Sequence, residues 1–398
     1  MARVMFVVPP LAGHVHPAVA VAEELAARGH QVAVAGHADA VAPMVPADVD
    51  LLALPGGRAD DAAERIRMEA ASQRLRGVAA LKFLWQDFLL PLGAAMIPQI
   101  DALVSEFRPD VVVADQQAVG ASVVARRRGT PLAVLATTPA EFDNPYAGFD
   151  RVGSWIAELL ADFQLAHGIS TEQAAATDPR FSDQLTIVCS VPGLLEASRF
   201  AESMVFVGCA AGRRHGDPDF PWTWLDESRA TVLVSLGTVT RDAGRRFLRA
   251  AAEAVRSMAT DVQAVMVAPP GTADDLAREA PADLLVTPRV PQLALLPHLA
   301  AVVCHAGNNT VCESLAHGVP LVVAPVRDDQ PIIARQVVQA GAGTRIRFGR
   351  AGAATIADAL RKVLDDPTYR TAATRLRGQF AAAGGAAAAA AHIEKLAS

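Results

Sequence analysis

Short apolar runs alternate with stretches of helical periodicity along most of the 398 residues. Arg3 to Pro10 is a continuous apolar run that reads as a buried strand, and a glycine-containing turn, Leu11-Ala12-Gly13-His14-Val15-His16, leads to Pro17. Proline suits the first position of a helix, so a helix is predicted from Pro17 to Arg28, ended by Gly29. Gln31 to Ala35 is the next apolar strand, which completes a strand-turn-helix-strand unit, the building block of a doubly wound parallel sheet. A third strand is expected near Leu51 to Leu54. Between Asp60 and Glu106 the period changes: Leu81, Leu84, Trp85, Phe88 and Leu89 mark one apolar helix face, which Pro91 and Pro98 break or kink. Strands are predicted at Val111 to Ala114, Pro131 to Ala136, Leu185 to Cys189 and Val205 to Val207. Thr137 to Ser182 is irregular and carries Phe142, Tyr146, Phe149 and Trp155, a composition suited to the wall of a cleft.

Residues 210–229 break all periodicity, and the pattern then restarts. Strands are predicted at Thr231 to Leu236, Val262 to Ala268, Leu284 to Val286, Ala301 to Cys304 and Leu321 to Ala324. Helices are expected at Asp242 to Met258, Thr310 to Ala316, Ile332 to Ala340 and Thr355 to Asp365. The alanine run from Ala381 to Ala391, interrupted by Gly384 and Gly385, is helical by propensity but offers little to pack. The expected layout is an α/β chain with one doubly wound domain over 1–209, a linker over 210–229, a second domain over 230–380 and a closing helix within 381–398.

Composition narrows the function classes. A net charge of −6, with 36 basic residues mixed among 42 acidic ones, argues against a nucleic-acid partner. The largest basic cluster, Arg126-Arg127-Arg128, reads as a solvated helix end. Four cysteines, Cys189, Cys209, Cys304 and Cys312, lack CxxC spacing and suggest neither a zinc site nor a disulfide framework, which fits a reduced cytoplasmic setting. No signal peptide is expected ahead of the first strand, and no run of about 18 uninterrupted apolar residues offers a membrane span.

The richest chemistry lies between Cys304 and Gln330, CHAGNNTVCESLAHGVPLVVAPVRDDQ. After a buried strand, Ala306, Gly307, Asn308 and Asn309 form a small-residue turn into a helix, where backbone N–H groups and the helix dipole favour an anion such as phosphate. His305 stands just before the turn, and Asp329 and Gln330 follow the next apolar run. Thr310 and Glu313 have the spacing of a capping box, which alone would account for that pair. In the first half, Asp115 sits at a strand's carboxyl end, where open α/β sheets bind ligands, although an acid there can also cap the following helix.

Taken together, LAGHVHP after the first strand, SLGT opening the second half, the run from RVPQ through VRDDQ, and QAGAG resemble the GT-B glycosyltransferases of family one, especially bacterial enzymes that glycosylate natural products. The resemblance covers nearly the whole chain. It implies two Rossmann-like domains facing across a cleft, the first for the acceptor and the second for a TDP- or UDP-sugar, with the last helix crossing back and no metal or other cofactor. It implies His14 as general base and Asp115 as the acid that orients it. Donor contacts would come from Gly237, Thr238, Arg289, Val290, Gln292, His305, Gly307, Asn308, Asn309, Thr310, Glu313, Asp329 and Gln330. In the family pattern His305 and the backbone around Gly307 to Thr310, together with Thr238, hold the diphosphate, Val290 and Gln292 contact the base and ribose, Glu313 takes the ribose hydroxyls, and Asp329 with Gln330 holds the sugar. Trp85, Phe88, Phe142 and Tyr146 are the expected acceptor contacts, for a hydrophobic aglycone, in a monomer or homodimer.

The sequence departs from the pattern at three places. Arg289 replaces a common tryptophan, Asn309 replaces a glycine or serine in the phosphate turn, and Asp328 adds a second carboxylate beside Asp329. Asparagine tolerates the left-handed region, so the turn is expected to survive. Rival readings are a metal-dependent GT-A transferase using Asp48-Val49-Asp50 or Asp217-Pro218-Asp219, a sugar-nucleotide epimerase, and a non-catalytic partner protein.

Overall fold

A computed structural model describes residues 1–54, 75, 77–142, 149–195, 200–212, 218–237, 244–279 and 282–398. The chain divides into two compact units: the first takes Met1–Pro192, Ala197–Arg213 and Ala383–Ser398, and the second Gly193–Glu196 and Arg214–Ala382.

The first unit is built on a parallel seven-stranded sheet in the order β3-β2-β1-β4-β5-β6-β7. Its strands are β1 Arg3–Val7, β2 Gln31–His37, β3 Asp50–Leu54, β4 Val111–Asp115, β5 Leu132–Ala136, β6 Leu185–Val188 and β7 Met204–Phe206. The central strands are apolar throughout because helices cover both faces. Along β1, Met5 and Val7 enter one core while Val4 and Phe6 enter the other. The second unit carries a parallel six-stranded sheet, β10-β9-β8-β11-β12-β13. These strands are β8 Ala230–Ser235, β9 Val262–Val267, β10 Leu284–Thr287, β11 Ala301–Cys304, β12 Leu321–Val323 and β13 Gly343–Arg345. In each sheet the strand order reverses once, between β1 and β4 and between β8 and β11. Ligands of open parallel sheets bind beyond the carboxyl ends of the strands at that reversal.

Several helices differ from expectation. The first runs over Ala12–Ala27, so Pro17 lies inside it and His14 in its first turn. Residues 137–182 contain a regular helix, Asp150–Ala166, whose Ile156, Leu160 and Phe163 recur at the spacing of one buried face. Pro98 does not end its helix, which runs over Leu90–Phe107. Ahead of Pro91 the chain winds more widely, as a π-helical segment at Phe83–Leu89. A proline ring clashes with the carbonyl four residues back, and a wider turn moves that carbonyl away. The continuous run Val78–Phe107 is long and apolar enough by length and composition to cross a membrane, despite the interruptions at Lys82, Gln86, Asp87, Gln99 and Asp101. Its Trp85, Leu89, Met96, Ile97, Ile100 and Val104 are buried in the core of the first unit, the arrangement of a core helix.

The arginine cluster is only partly solvated. Arg127 and Arg128 pair with Asp101, whereas Arg126 is largely buried and donates to the carbonyls of Asp178 and Phe181. Burial lowers the pKa of the Arg126 guanidinium from its ordinary value.

The alanine run near the C-terminus does pack. The helix Pro367–Ala383 ends at Gly384, which adopts a φ of 82°, and a last helix, Gly385–Leu396, lies in the first unit. Ala389, Ala390 and Ile393 are fully buried in the same core as Val15, Val19 and Ala22 of the helix Ala12–Ala27. Alanine is what lets these two helices approach closely. The Gly385 N–H donates to the Val207 carbonyl at 2.7 Å, and a Cβ on Gly385 would stand 3.0 Å from the Cys209 carbonyl oxygen. Glu394 accepts from His30 Nε2 at 2.9 Å and from Arg28 at 3.0 Å, which holds the helix end and lowers the carboxyl's pKa, the His30 bond being the largest cause. Ala389→Leu is expected to overpack this contact and destabilise the last helix by about 1–3 kcal/mol. Native-state hydrogen exchange of the amides of Gly385–Leu396 checks this, and unchanged protection would contradict it.

Candidate active site

In the first unit, the carboxyl ends of three adjacent strands, β1, β4 and β5, bring a histidine, an aspartate and a threonine together. His14 Nδ1 lies 2.9 Å from both Asp115 Oδ1 and Asp115 Oδ2. The Asp115 side chain is wholly buried and that of His14 is 15% exposed. A carboxylate only accepts hydrogen bonds, so Nδ1 carries the hydrogen and Nε2 is left with the lone pair. Thr137, the residue after β5, places Oγ1 2.7 Å from His14 Nδ1 and donates to Asp115 Oδ2 at 2.9 Å. The Gln117 N–H donates to Asp115 Oδ1 at 2.8 Å. Asp115 therefore fixes the local turn as well as the imidazole, and it does not cap the following helix, Val119–Arg128, whose N-cap is Ala118.

In the second unit, His305 follows β11 and Gly237 follows β8, its neighbour in the sheet. The His305 ring is wedged between two glycines. A Cβ on Gly237 would stand 2.5 Å from His305 Cε1, and one on Gly307 would stand 2.5 Å from His305 Nε2. Both positions are closed to any larger residue, and Gly237 also has a φ of 68°. Burial lowers the pKa of His305 to about 4, partly offset by a hydrogen bond to the Ser235 backbone. The ring is thus neutral at physiological pH. The turn does not use asparagine in the left-handed region: Ala306 takes it, with a φ of 66°, while Asn308 and Asn309 begin the helix Asn308–Ala316. Gly307 is the N-cap and no side chain caps the helix, so the Thr310 and Glu313 capping box does not form. Glu313 instead accepts from Gln292 Nε2 at 2.6 Å in a buried pair. Gln292 opens the short helix Gln292–Leu295, just beyond the half-buried Val290 and the exposed Arg289.

The loop after β12 is held from within. Gln330 Oε1 accepts from the N–H groups of Val326 at 2.9 Å and Arg327 at 3.2 Å, leaving its amide nitrogen without a partner among the described residues. Asp328 is exposed, in the left-handed region with a φ of 55°, and pairs with Arg327 at 3.3 Å. Asp329 occupies the N-cap position of the helix Gln330–Gln339. The two neighbouring carboxylates are thereby distinguished.

Comparison with known proteins identifies this arrangement. The family described as UDP-glucoronosyl and UDP-glucosyl transferase matches residues 200–379. A demethyllactenocin mycarosyltransferase from Streptomyces fradiae is 31% identical, over 100% of this chain and 87% of its own length. The chain belongs to the family-one glycosyltransferases. A 4'-demethylrebeccamycin synthase from Lentzea aerocolonigenes is 30% identical over 96% of both chains. The spinosyn rhamnosyltransferase SpnG, solved in complex with thymidine diphosphate, shares the fold with a TM-score of 0.76 at 22% identity, over 98% of this chain and 100% of its own. The protein is a GT-B glycosyltransferase of bacterial natural-product type that depends on a nucleotide sugar.

In this glycosyltransferase the expected acceptor contacts differ in their surroundings. Trp85 is 2% exposed and belongs to the core of the first unit, with Arg180 stacked 5.7 Å from its ring centre. Phe88 packs half-buried against the same core. The apolar face that marked both residues is the buried face of a core helix. Phe142 remains half-exposed and packs 5.2 Å from Phe181. Thr238 and Tyr146 lie outside the described residues. Thr137 is the site residue that sequence reasoning missed. Its signal was available: Thr137 and Thr138 are polar residues directly after an apolar strand, as Asp115 is a polar residue ending one.

The depressed pKa of His305 has a defined consequence for stability. A histidine neutral in the folded state takes up a proton on unfolding once the pH is below its unfolded value of about 6.5. Its contribution is therefore complete above about pH 6.5 and is lost as the pH falls toward about 4. In histidine NMR spectra, His305 is expected to show no titration between about pH 8 and about pH 5. A midpoint near 6.5 would contradict its burial.

Proposed function

We propose that the protein is an inverting glycosyltransferase that moves a sugar from a TDP- or UDP-sugar to a hydroxyl of a hydrophobic small-molecule acceptor, with His14 as general base. The observation that carries this reading is the His14–Asp115 pair. Nδ1 is committed to a buried carboxylate at 2.9 Å, which directs the basic lone pair to Nε2. As the acceptor oxygen attacks the anomeric carbon, Nε2 takes its proton and Asp115 stabilises the imidazolium. A single displacement inverts the anomeric centre. The departing nucleoside diphosphate gathers negative charge, and the backbone N–H groups at the start of the helix Asn308–Ala316, with neutral His305 as a hydrogen-bond donor, are aimed at such charge. Glu313, fixed by Gln292, accepts from ribose hydroxyls, and Asp329 with the amide nitrogen of Gln330 holds the sugar. The thymidine diphosphate in SpnG and the relatives named as a demethyllactenocin mycarosyltransferase and a 4'-demethylrebeccamycin synthase favour a TDP-sugar and a natural-product aglycone.

Thermal-shift measurements with TDP and UDP, followed by mass spectrometry of products from the stabilising donor, test the substrate class. His14→Ala is expected to lower kcat by roughly 10²–10⁴-fold while nucleotide binding is unchanged. Undiminished turnover in that variant would remove His14 from the role of base.

A further inference from the structure

We infer that Thr137 is a positioning residue that tunes the basicity of the proposed base through the Asp115 carboxylate. The inference rests on the assignment of His14 as that base. The Thr137 hydroxyl touches both members of the pair, 2.7 Å from His14 Nδ1 and 2.9 Å from Asp115 Oδ2. It owns one hydrogen, and one arrangement satisfies both contacts. The O–H donates to Asp115 Oδ2, while the hydroxyl oxygen accepts part of the Nδ1–H bond whose main acceptors are the two Asp115 oxygens at 2.9 Å. The alternative, donation by the hydroxyl to Nδ1, would need Nδ1 bare and so would leave the imidazole and the carboxylate with facing lone pairs. The carboxylate therefore excludes the tautomer in which Nε2 carries the hydrogen and cannot act as a base, and the hydroxyl takes the orientation that matches it.

A second effect follows from the sharing of charge. The Thr137 O–H bond draws on the Asp115 carboxylate, which also accepts from the Gln117 N–H at 2.8 Å. Each donor leaves the carboxylate with less charge to offer an imidazolium. Removing the hydroxyl turns the whole Nδ1–H bond toward Asp115 and leaves that carboxylate more basic, and both changes favour protonated His14. Thr137 thus keeps the proposed base unprotonated at a lower pH than the aspartate alone would allow. The placement is a product of the fold, since β1, β4 and β5 are neighbours in the sheet and each delivers one group at its carboxyl end.

Thr137→Val keeps the branched shape and removes only the hydroxyl. Its kcat/KM is expected to fall about threefold on the acidic limb of the pH profile, with that limb moved upward by roughly half a unit and the KM for the donor unchanged. Thr137→Ser is expected to restore both rate and profile. A Thr137→Val profile that overlays the wild type, or a lost rate that Thr137→Ser does not rescue, would overturn the inference in favour of a packing role. His14→Ala measured in parallel separates the two readings: an active His14→Ala removes the base assignment itself, whereas an inactive His14→Ala beside an unperturbed Thr137→Val removes only the role of Thr137. Melting temperatures confirm that each variant is folded.

Discussion

A carboxylate with no solvent exposure is expensive unless its oxygens are satisfied, and the first unit meets that requirement for Asp115 with a backbone N–H, a hydroxyl and an imidazole. Each donor comes from a different stretch of chain, and each stretch is fixed by the sheet. Gln117 follows β4 itself, Thr137 follows β5, and His14 lies in the turn of helix after β1. The parallel register explains why these groups converge. Phe6 pairs with Val113 and Val7 with Ala114, while Asp115 pairs with Leu135, so the three strands end nearly level. A one-residue slip in any of them would carry its polar group to the other face. The apolar strands that form the core therefore also set the geometry of the site.

The second unit solves a different problem with the same topology. Among the described residues no carboxylate repays the burial of His305, so it stays neutral, and steric exclusion rather than charge holds its ring. Gly237 and Gly307 leave room for an imidazole where any Cβ would collide with it, and the left-handed Ala306 turns the chain between the histidine and the helix. A non-glycine residue with positive φ is strained, and such strain persists where the surroundings over-determine it. Here the buried strand on one side and the helix start on the other supply that constraint.

Much of this was legible in the sequence because strand ends are marked by abrupt changes from apolar to polar residues. Val111 to Asp115 and Ala301 to His305 both show that change, and both were read correctly as strands delivering a polar group. What escaped were features decided by tertiary contact. Glu313 has the spacing of a capping residue, yet its carboxylate turns to Gln292, a residue 21 positions away that sequence spacing does not connect to it. Trp85 and Phe88 share an apolar face whose default is core packing, and Trp85 is buried in the core of the first unit with Phe88 half-buried against it. The alanine run near the C-terminus was undervalued. Small side chains bury little area each, but they permit the close approach to the helix Ala12–Ala27 that makes Ala389 and Ala390 fully buried.

The two histidines show how placement within one fold type separates the environments of one side chain. Each lies beyond a central strand at a reversal of strand order, the position where parallel sheets present groups to ligands. His14 is partly exposed and backed by a carboxylate, a setting that supports a transient positive charge on the ring. His305 is enclosed with no carboxylate beside it among the described residues, and burial drives its pKa to about 4. A ring that resists protonation is a poor base but a dependable neutral donor, since it holds a hydrogen for an anion without itself becoming charged when the anion leaves. Exchanging the environments would exchange the proposed roles, because the side chain is the same. The difference rests on one buried aspartate beside His14 and on two glycines that close around His305.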